Sequence, residues 1–212
     1  MEQLKRIAAA KKLKKNLKLQ VNNPKDDDSD ASLTSDDEEE VSKNIIGRFF
    51  NRYFCLKYLG RGTFSRVWLV YDLQESKFRA MKMHFPEFYE DASHEIKVMK
   101  KLNNKDNQNS HVVKMYDYFV DGKSMCVIYE LMGKCLLDIF RKYQDEPAPI
   151  ELVKIVIRDI LKGLDEAHKK NIIHTDLKPE NIILNTYSQK IESIKNWFFT
   201  NAFHKDGRLI AS

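Results

Sequence analysis

The sequence predicts an α+β fold in which a strand-rich part precedes a helical part. Short apolar runs bounded by turn residues occupy residues 53–131, as expected for antiparallel strands. Apolar residues at helical spacing then fill residues 150–169. A polar motif follows at residues 171–184, between two apolar pairs, where a functional loop is expected.

Length and composition allow one domain, or slightly more, in 212 residues, with a hydrophobic content of 42% and a net charge of +5. Cys55, Cys126 and Cys135 include no Cys-x-x-Cys pair, which argues against a disulfide framework or a zinc site. No apolar run reaches the roughly 18 residues that a membrane span requires. The charged N-terminus lacks the apolar stretch of a signal peptide. We therefore expect no membrane span, and a reducing location in the cytoplasm and nucleus.

Residues 1–44 are predicted to form a disordered tail that is basic first and acidic afterwards. The lysine run at residues 11–15 fits a nuclear import signal or a contact with nucleic acid or acidic lipid. A solvated tail is the favoured alternative, and direct nucleic-acid binding is not expected. Residues 26–40 read DDDSDASLTSDDEEE, and such like-charged runs cannot offset the entropy of ordering.

A strand and a glycine-containing turn open the predicted sheet. Tyr53–Leu59 has strand character, and Gly60 and Gly62 follow it in the run GRGTFSRVWL. Glycines there let the backbone approach phosphate groups, so that amide N–H groups can face them. Gly-x-Gly alone favours a hairpin turn, and Ser65 stands where a third glycine is usual. Val67 offers an apolar contact for an adenine ring.

A lysine inside the next apolar strand, Phe78–Met83, is the second feature of this part. Burying Lys82 is costly unless a carboxylate pairs with it. Residues 87–102 have helical periodicity and supply Glu95 as the preferred partner, with Glu90 as the second choice. The functional interpretation places Lys82 on nucleotide phosphates, whereas the alternative leaves Glu95 as a solvated helix charge.

Two further strands are predicted at His111–Val120 and Ser124–Leu131, joined by the turn Asp121-Gly122. The chain leaves the second strand at residues 130–133, where backbone groups can hydrogen-bond an adenine edge. Ala80 on a facing strand would pack against the ring. The predicted nucleotide site therefore consists of Gly60, Arg61, Gly62, Thr63, Phe64, Ser65, Val67, Ala80, Lys82, Glu95, Glu130 and Met132.

Helices are predicted after residue 133. Leu136–Tyr143 favours a short helix, and Ile150–Lys169 favours a long one that begins after Pro147 and Pro149. The predicted inner stripe of the long helix consists of Leu152, Val153, Val156, Ile157, Ile160, Leu161 and Leu164. This stripe is expected to be core rather than a cofactor site.

The polar motif His174-x-Asp176-x-Lys178-x-x-Asn181 has the spacing that phosphoryl transfer requires. A carboxylate can accept the proton of an attacking hydroxyl, and a lysine two residues later can offset phosphoryl charge. An amide five residues after the carboxylate can hold a metal ion. We predict Asp176 and Lys178 as catalytic residues and Asn181 as a metal ligand. A surface loop with a helix stop at Pro179 is the alternative.

Together these elements resemble the eukaryotic protein kinases over residues 53–195, most of all the SR-protein kinases. LAMMER kinases share the form His-Thr-Asp-Leu-Lys-Pro-Glu-Asn and are the near neighbour. The likeness to SR-protein kinases is carried by FNRY at 50–53, TFSRVWL at 63–69, GLD at 163–165, IIHTD at 172–176 and the acidic SDDEEE ahead of the domain.

The resemblance implies a bilobal protein-kinase fold with a β-rich small lobe at residues 45–132 and the start of a helical large lobe at 133–195. Residues 196–212 are left unassigned. It also implies a serine/threonine kinase that transfers the γ-phosphoryl group of ATP to protein serines. ATP and Mg²⁺ are the implied cofactors, and Arg-Ser-rich splicing factors are the implied protein partners.

Two departures from the family pattern bear on activity. Thr175 replaces the arginine that usually contacts a phosphorylated activation loop, which implies activity without that switch. The metal-holding aspartate of an Asp-Phe-Gly triplet has no counterpart after the strand expected at Ile191–Lys195, and Asp206-Gly207 lacks the spacing. The sequence is therefore expected to be C-terminally incomplete. The alternative functions are a truncated pseudokinase or a nucleotide- or partner-binding module without phosphotransfer, or a nucleic-acid or membrane tether that acts through residues 4–19.

Overall fold

The computed structural model describes residues 44–103, 110–143, 147–185, 193–196 and 203–204. The chain divides into two compact units, Met1–Arg48 and Phe49–Ser212. In the first unit the described residues form a turn, in which the Arg48 amide donates to the Ile45 carbonyl at 3.2 Å. The predicted tail up to residue 43 and most of the unassigned residues 196–212 lie outside the described residues.

The first part of the second unit contains six strands: β1 (Phe49–Phe50), β2 (Tyr53–Arg61), β3 (Ser65–Asp72), β4 (Lys77–His84), β5 (Met115–Asp121) and β6 (Ser124–Glu130). They form one antiparallel sheet in the order β1-β2-β3-β4-β6-β5. β3 extends through residues that the sequence prediction assigned only to the glycine-containing run. Its side chains alternate as expected for a strand, since Trp68 and Val70 are fully buried and Leu69 between them is only partly buried.

One helix, α1 (Tyr89–Leu102), packs against β5 and β6 after a short 3-10 turn at Pro86–Phe88. Its buried face includes Ala92, Ile96 and Met99, which join a core cluster with residues of β6. No side chain caps the N-terminus of α1. A cap is typically worth about 1 kcal/mol, whereas each fully buried apolar side chain contributes about 1.5–3 kcal/mol. Packing therefore holds this helix in place.

The second part begins with α2 (Leu136–Lys142) and α3 (Ile150–Lys169), and the latter has the predicted bounds. A second apolar cluster joins the two helices to Ile182 and Leu184. Among the described residues, no helix is long and apolar enough to cross a membrane. The remaining elements are β7 (Ile172–Ile173), a 3-10 turn (Pro179–Asn181), β8 (Ile182–Asn185), β9 (Ser193–Asn196) and β10 (Phe203–His204). β8 pairs with β9 and β7 pairs with β10, both antiparallel.

The predicted inner stripe of α3 is wrong at two positions. Ile157 and Leu161 are 52% and 59% exposed. The buried residues of this helix are Val156, which the predicted stripe includes, and Asp159, Gly163 and Ala167, which it does not include. Successive residues turn by about 100° around a helix, so residues 157 and 161 point away from the face that carries residues 156 and 163. Apolar character alone does not show which of two adjacent stripes is covered.

Polar contacts join the strand-rich part to α3. The His111 amide donates to Oε1 of Glu166 at 2.9 Å, and the Ser110 hydroxyl donates to Oε2 at 2.6 Å. Lys170 Nζ donates to the Leu102 carbonyl at 2.5 Å. These bonds join the segments on either side of residues 104–109 to the end of the helix that leads into the polar motif.

Candidate functional site

A cleft of about 510 Å³ lies between the sheet and the polar motif. Its volume is within the range of small-molecule sites, which is about 300–1,000 Å³. The structure brings the predicted site residues together there, with Glu95 behind the wall. The predicted residues that line the cleft are Gly60, Arg61, Gly62, Thr63, Phe64, Ser65, Val67, Ala80, Lys82, Glu130, Met132, Asp176, Lys178 and Asn181.

The cleft also contains residues that the sequence prediction did not include in the site. They are Leu59, Leu131, Gly133, Glu180 and Ile183. A signal existed for Ile183, because it belongs to the apolar run that directly follows Asn181 in the sequence. Leu131 and Gly133 belong to residues 130–133, whose backbone the sequence analysis assigned to the adenine edge. Only their contribution to the lining of the cleft was not predicted.

Lys82 and Glu95 form a buried ion pair in the wall of the cleft. Lys82 Nζ lies 2.6 Å from Glu95 Oε2, and the two side chains are only 2% and 1% exposed. Burial alone would raise the pKa of Glu95. The charge of Lys82 and a hydrogen bond from His84 outweigh burial and lower that pKa to about 2. Glu95 is thus ionised and paired, while Glu90, the second choice, is exposed.

Two further side chains, which the sequence prediction missed, donate to the same carboxylate. The Tyr129 hydroxyl donates to Glu95 Oε1 at 2.5 Å, and His84 Nε2 lies 3.1 Å from Oε2. Burial and the charge of Glu95 raise the pKa of Tyr129 well above its ordinary value, so its hydroxyl remains a donor. The only local signal was His84 itself, a polar residue two positions after Lys82 and therefore on the same strand face.

The glycine-containing turn is anchored at its tip. The Gly62 amide donates to the Ser65 carbonyl at 2.9 Å, and the Phe85 amide donates to the Phe64 carbonyl at 3.0 Å. The Phe64 ring packs edge-on against Phe88, with centroids 4.8 Å apart. A Cβ added at Gly60 would meet nothing within 4 Å. Packing within the chain therefore does not require that glycine, and its missing side chain leaves room for a ligand.

The segment after β6 is held at both ends. The Glu130 carboxylate accepts a hydrogen bond from the Lys114 amide at 2.7 Å, so it already has a structural partner. The Gly133 amide donates to the Leu184 carbonyl at 2.8 Å. Leu131 and Met132 line the cleft between these anchors.

The polar motif places its three predicted residues within contact of each other. Lys178 Nζ lies 3.1 Å from Asp176 Oδ2, and the side chains are 48% and 39% exposed. Asn181 Nδ2 donates to Asp176 Oδ2 at 2.9 Å and to the Asp176 carbonyl at 2.7 Å. Thr175 has a φ of 55°, a left-handed conformation that is rare for a β-branched residue. This backbone turn lies between His174, which is buried, and Asp176, which is partly exposed.

The residues fit a nucleotide with a hard cation. Val67, Ala80 and Ile183 line the cleft and would supply apolar surface for a base, and Lys82 would supply a positive charge for phosphates. The Asn181 amide nitrogen donates to Asp176, so the amide oxygen is the atom of this side chain that would hold a metal ion. Carboxylate and amide oxygens are the ligands that Mg²⁺ prefers.

Comparison with known proteins decides the family. The model of the protein kinase domain matches residues 53–196. The chain belongs to the protein kinase family. The predicted resemblance to the SR-protein kinases is confirmed at the level of sequence. The chain is 36% identical to SRSF protein kinase 3 of Mus musculus over 173 residues, covering 72% of this chain and 31% of that protein.

Two further matches support the assignment. Protein kinase dsk1 of Schizosaccharomyces pombe is 35% identical over 151 residues, covering 66% of this chain and 28% of that protein. A crystal structure of a kinase domain superposes with a TM-score of 0.69 at 27% identity, covering 78% of this chain and 57% of that one. The predicted kinase fold is thereby confirmed. This kinase chain spans about a third or less of the length of these curated relatives.

Proposed function

We propose that this kinase chain binds Mg·ATP in the cleft and belongs to a serine/threonine protein kinase that phosphorylates protein serines in Arg-Ser-rich partners. One observation carries the proposal. A buried lysine–glutamate pair on one wall faces an Asp–Lys–Asn motif on the other wall, in one cleft of nucleotide size. The likeness to SRSF protein kinase 3 and dsk1 supports the substrate class.

The wall that carries Lys82 binds and orients the nucleotide. Lys82 offsets phosphate charge, and the anchored turn at residues 60–65 lines the same space, where its backbone can approach the phosphates. The apolar side chains of Val67 and Ala80 exclude water around the base. The nucleotide, with its magnesium ion, supplies the transferable phosphoryl group.

The wall that carries Asp176 acts on the protein substrate. Lys178 and Asn181 both contact Oδ2 of Asp176, so Oδ1 is the oxygen available to a serine hydroxyl. Asp176 orients that hydroxyl and accepts its proton as the serine oxygen bonds to the γ-phosphorus and the bond to the departing ADP breaks. Lys178 offsets charge on the phosphoryl oxygens. Positioning and charge stabilisation of this kind account for most of the catalysis in phosphoryl transfer.

Phosphoryl transfer tests this proposal directly. The chain is incubated with labelled ATP, Mg²⁺ and an Arg-Ser repeat peptide, alongside an Arg-Ala repeat as the acceptor control. Asp176→Asn should lower transfer by at least about 100-fold, the lower end for a general base. Asp165→Asn is the matched control, since Asp165 is an exposed residue of α3 paired with Lys169.

Equal transfer by wild type and Asp176→Asn would contradict the catalytic assignment. ATP binding without transfer by the wild type would favour the alternative, a nucleotide-binding module without phosphotransfer. Transfer to other serine peptides at the same rate as to the Arg-Ser repeat would remove the substrate proposal alone.

We also propose location in the cytoplasm and nucleus, on the basis of the lysine run at residues 11–15. A chain that starts at Ile45 should lose nuclear accumulation and keep its affinity for ATP. Unchanged distribution would exclude the lysine run as an import signal. A loss of ATP affinity beyond roughly tenfold would show that the tail contributes to the site.

A further inference from the structure

Behind the cleft lies a buried group of four polar side chains, called here the Glu95 cluster: Lys82, His84, Glu95 and Tyr129. All four are at most 2% exposed. They come from three elements, since β4 supplies two of them, α1 supplies Glu95 and β6 supplies Tyr129. Of the four, only Lys82 lines the cleft.

Three donors on one carboxylate are more than charge neutralisation requires. Lys82 alone supplies the opposite charge, at 2.6 Å from Oε2. His84 Nε2 approaches the same oxygen at 3.1 Å, and the Tyr129 hydroxyl takes Oε1. A carboxylate that accepts bonds at both oxygens is fixed in rotation as well as in position. The cluster therefore defines the direction in which Glu95 presents Oε2 to Lys82.

His84 links this arrangement to the sheet backbone. Its Nδ1 lies 3.3 Å from the Met125 carbonyl in β6, while Nε2 faces Glu95. Both partners are acceptors, so the protonated ring donates to both and the neutral ring donates to one. Through this ring and Tyr129, the position of α1 is tied to β6 at two points beside Lys82.

We propose that His84 and Tyr129 are positioning residues for nucleotide binding. They hold the two oxygens of Glu95, and Glu95 in turn holds the Lys82 ammonium where it meets the phosphates. Neither side chain lines the cleft, so both act only through Glu95 and Lys82. This inference rests on the proposed binding of ATP.

The test compares two ligands of the same chain, ATP and adenosine, by calorimetric titration. Adenosine fills the base site and carries no phosphate, so it does not report on Lys82. Tyr129→Phe and His84→Asn should each weaken ATP binding by roughly tenfold, as for a lost hydrogen bond to a charged group, and leave adenosine affinity unchanged. His84→Gln should restore part of the ATP affinity, because its longer amide can donate from near the Nε2 position.

Matched controls remove comparable groups elsewhere. Tyr53→Phe deletes a buried tyrosine hydroxyl that donates to Asp117 at 2.9 Å, away from the cleft. His94→Asn changes a buried histidine in α1 next to Glu95 along the chain. Both should retain wild-type affinity for ATP and adenosine. Melting temperatures of all variants verify folding. If His84→Asn does not fold, the result for Tyr129→Phe, which removes only one oxygen atom, tests the inference.

A double-mutant cycle shows whether the effect passes through Lys82. In a Lys82→Met background, Tyr129→Phe should cause no further loss of ATP affinity. A further loss as large as in the wild type would overturn the inference, and so would unchanged ATP affinity in the single variants. Parallel losses of ATP and adenosine would show a structural role and would also overturn it.

The outcomes separate this inference from the function on which it rests. A wild-type chain that binds neither ligand refutes the proposed ATP binding, and the inference falls with it. A wild-type chain that binds ATP, with variants that bind it equally well, refutes only the role of His84 and Tyr129.

Discussion

Two lysine–carboxylate pairs lie on the two walls of the cleft. On the sheet wall, Lys82 and Glu95 are 2.6 Å apart and at most 2% exposed. On the opposite wall, Lys178 and Asp176 are 3.1 Å apart and 39% or more exposed. The chemical groups are the same, but water reaches only the second pair.

The difference in exposure separates a binding role from a reactive one. Removing one partner of a buried pair leaves an uncompensated charge in a medium that solvates it poorly. The charges of an exposed pair are screened by water and salt, and the pair contributes little to folding. Each of its side chains can therefore leave its partner and contact a substrate. In the proposed function, Lys82 would meet the phosphates from a fixed position, whereas Asp176 would turn to a substrate hydroxyl at small cost.

The largest expected effect follows from breaking the buried pair. Glu95→Ala should lower the free energy of unfolding by about 3–5 kcal/mol, because Lys82 is left buried and unpaired. Urea unfolding measures the change. The double variant Lys82→Met, Glu95→Leu should recover much of the loss. If Glu95→Ala lowered the free energy of unfolding by less than about 1 kcal/mol, this pair would contribute no more than a solvent-exposed ion pair does, which would contradict the prediction.

Acid should weaken the buried pair in a defined window. The pKa of Glu95 is lowered from 4.5 to about 2 in the folded chain, so its stabilising contribution is fully present above pH 4.5. That contribution is lost as the pH falls from 4.5 toward 2. The stability difference between wild type and Glu95→Gln should narrow in that range. A constant difference from pH 6 to pH 3 would contradict the assignment of the lowered pKa.

Breaking the exposed pair should have a smaller effect on folding. Lys178→Met should change the free energy of unfolding by less than about 1 kcal/mol. The same variant should lower phosphoryl transfer by about 10²-fold, as for a lost charge-stabilising donor. Urea unfolding and initial rates measured on one preparation separate the two effects. A stability loss comparable to that of Glu95→Ala would remove the distinction between the walls.

The smallest effect is expected at a pair outside the cleft. Lys154 and Glu151 in α3 are 63% and 76% exposed. Lys154→Met should leave the melting temperature and ATP affinity at wild-type values. A measurable drop in either quantity would show that the exposure of an ion pair does not determine how much its loss affects stability or binding.

The sequence predicted the parts of the site that depend on local spacing. Glu95 was identified because helical periodicity fixed the helix around it, and Asp176, Lys178 and Asn181 were identified because seven residues from Asp176 to Ile182 keep one motif. The Tyr129–Glu95 bond joins residues 34 positions apart in the chain. No local pattern reports such a contact, because it depends on how α1 packs on β6.

The error in α3 has a similar cause. Its limits were predictable from proline and apolar spacing, but the exposure of Ile157 and Leu161 depends on which face the neighbouring elements cover. These two side chains have the same character as the buried ones, so composition could not separate them. Periodicity predicts a helix and the direction of its apolar side only to within about 100°, the rotation from one residue to the next. Tertiary packing determines which of those side chains are buried.

Titration of Mg·ATP into wild type, Lys82→Met, Lys178→Met and Lys77→Met tests the central claim most directly. Lys77 is an exposed lysine of the same strand as Lys82 and serves as the control. The account predicts that Lys82→Met weakens ATP binding by tenfold or more, about 1.4 kcal/mol, while Lys178→Met and Lys77→Met stay close to wild type. Equal affinity of wild type and Lys82→Met, with both folded, would contradict it.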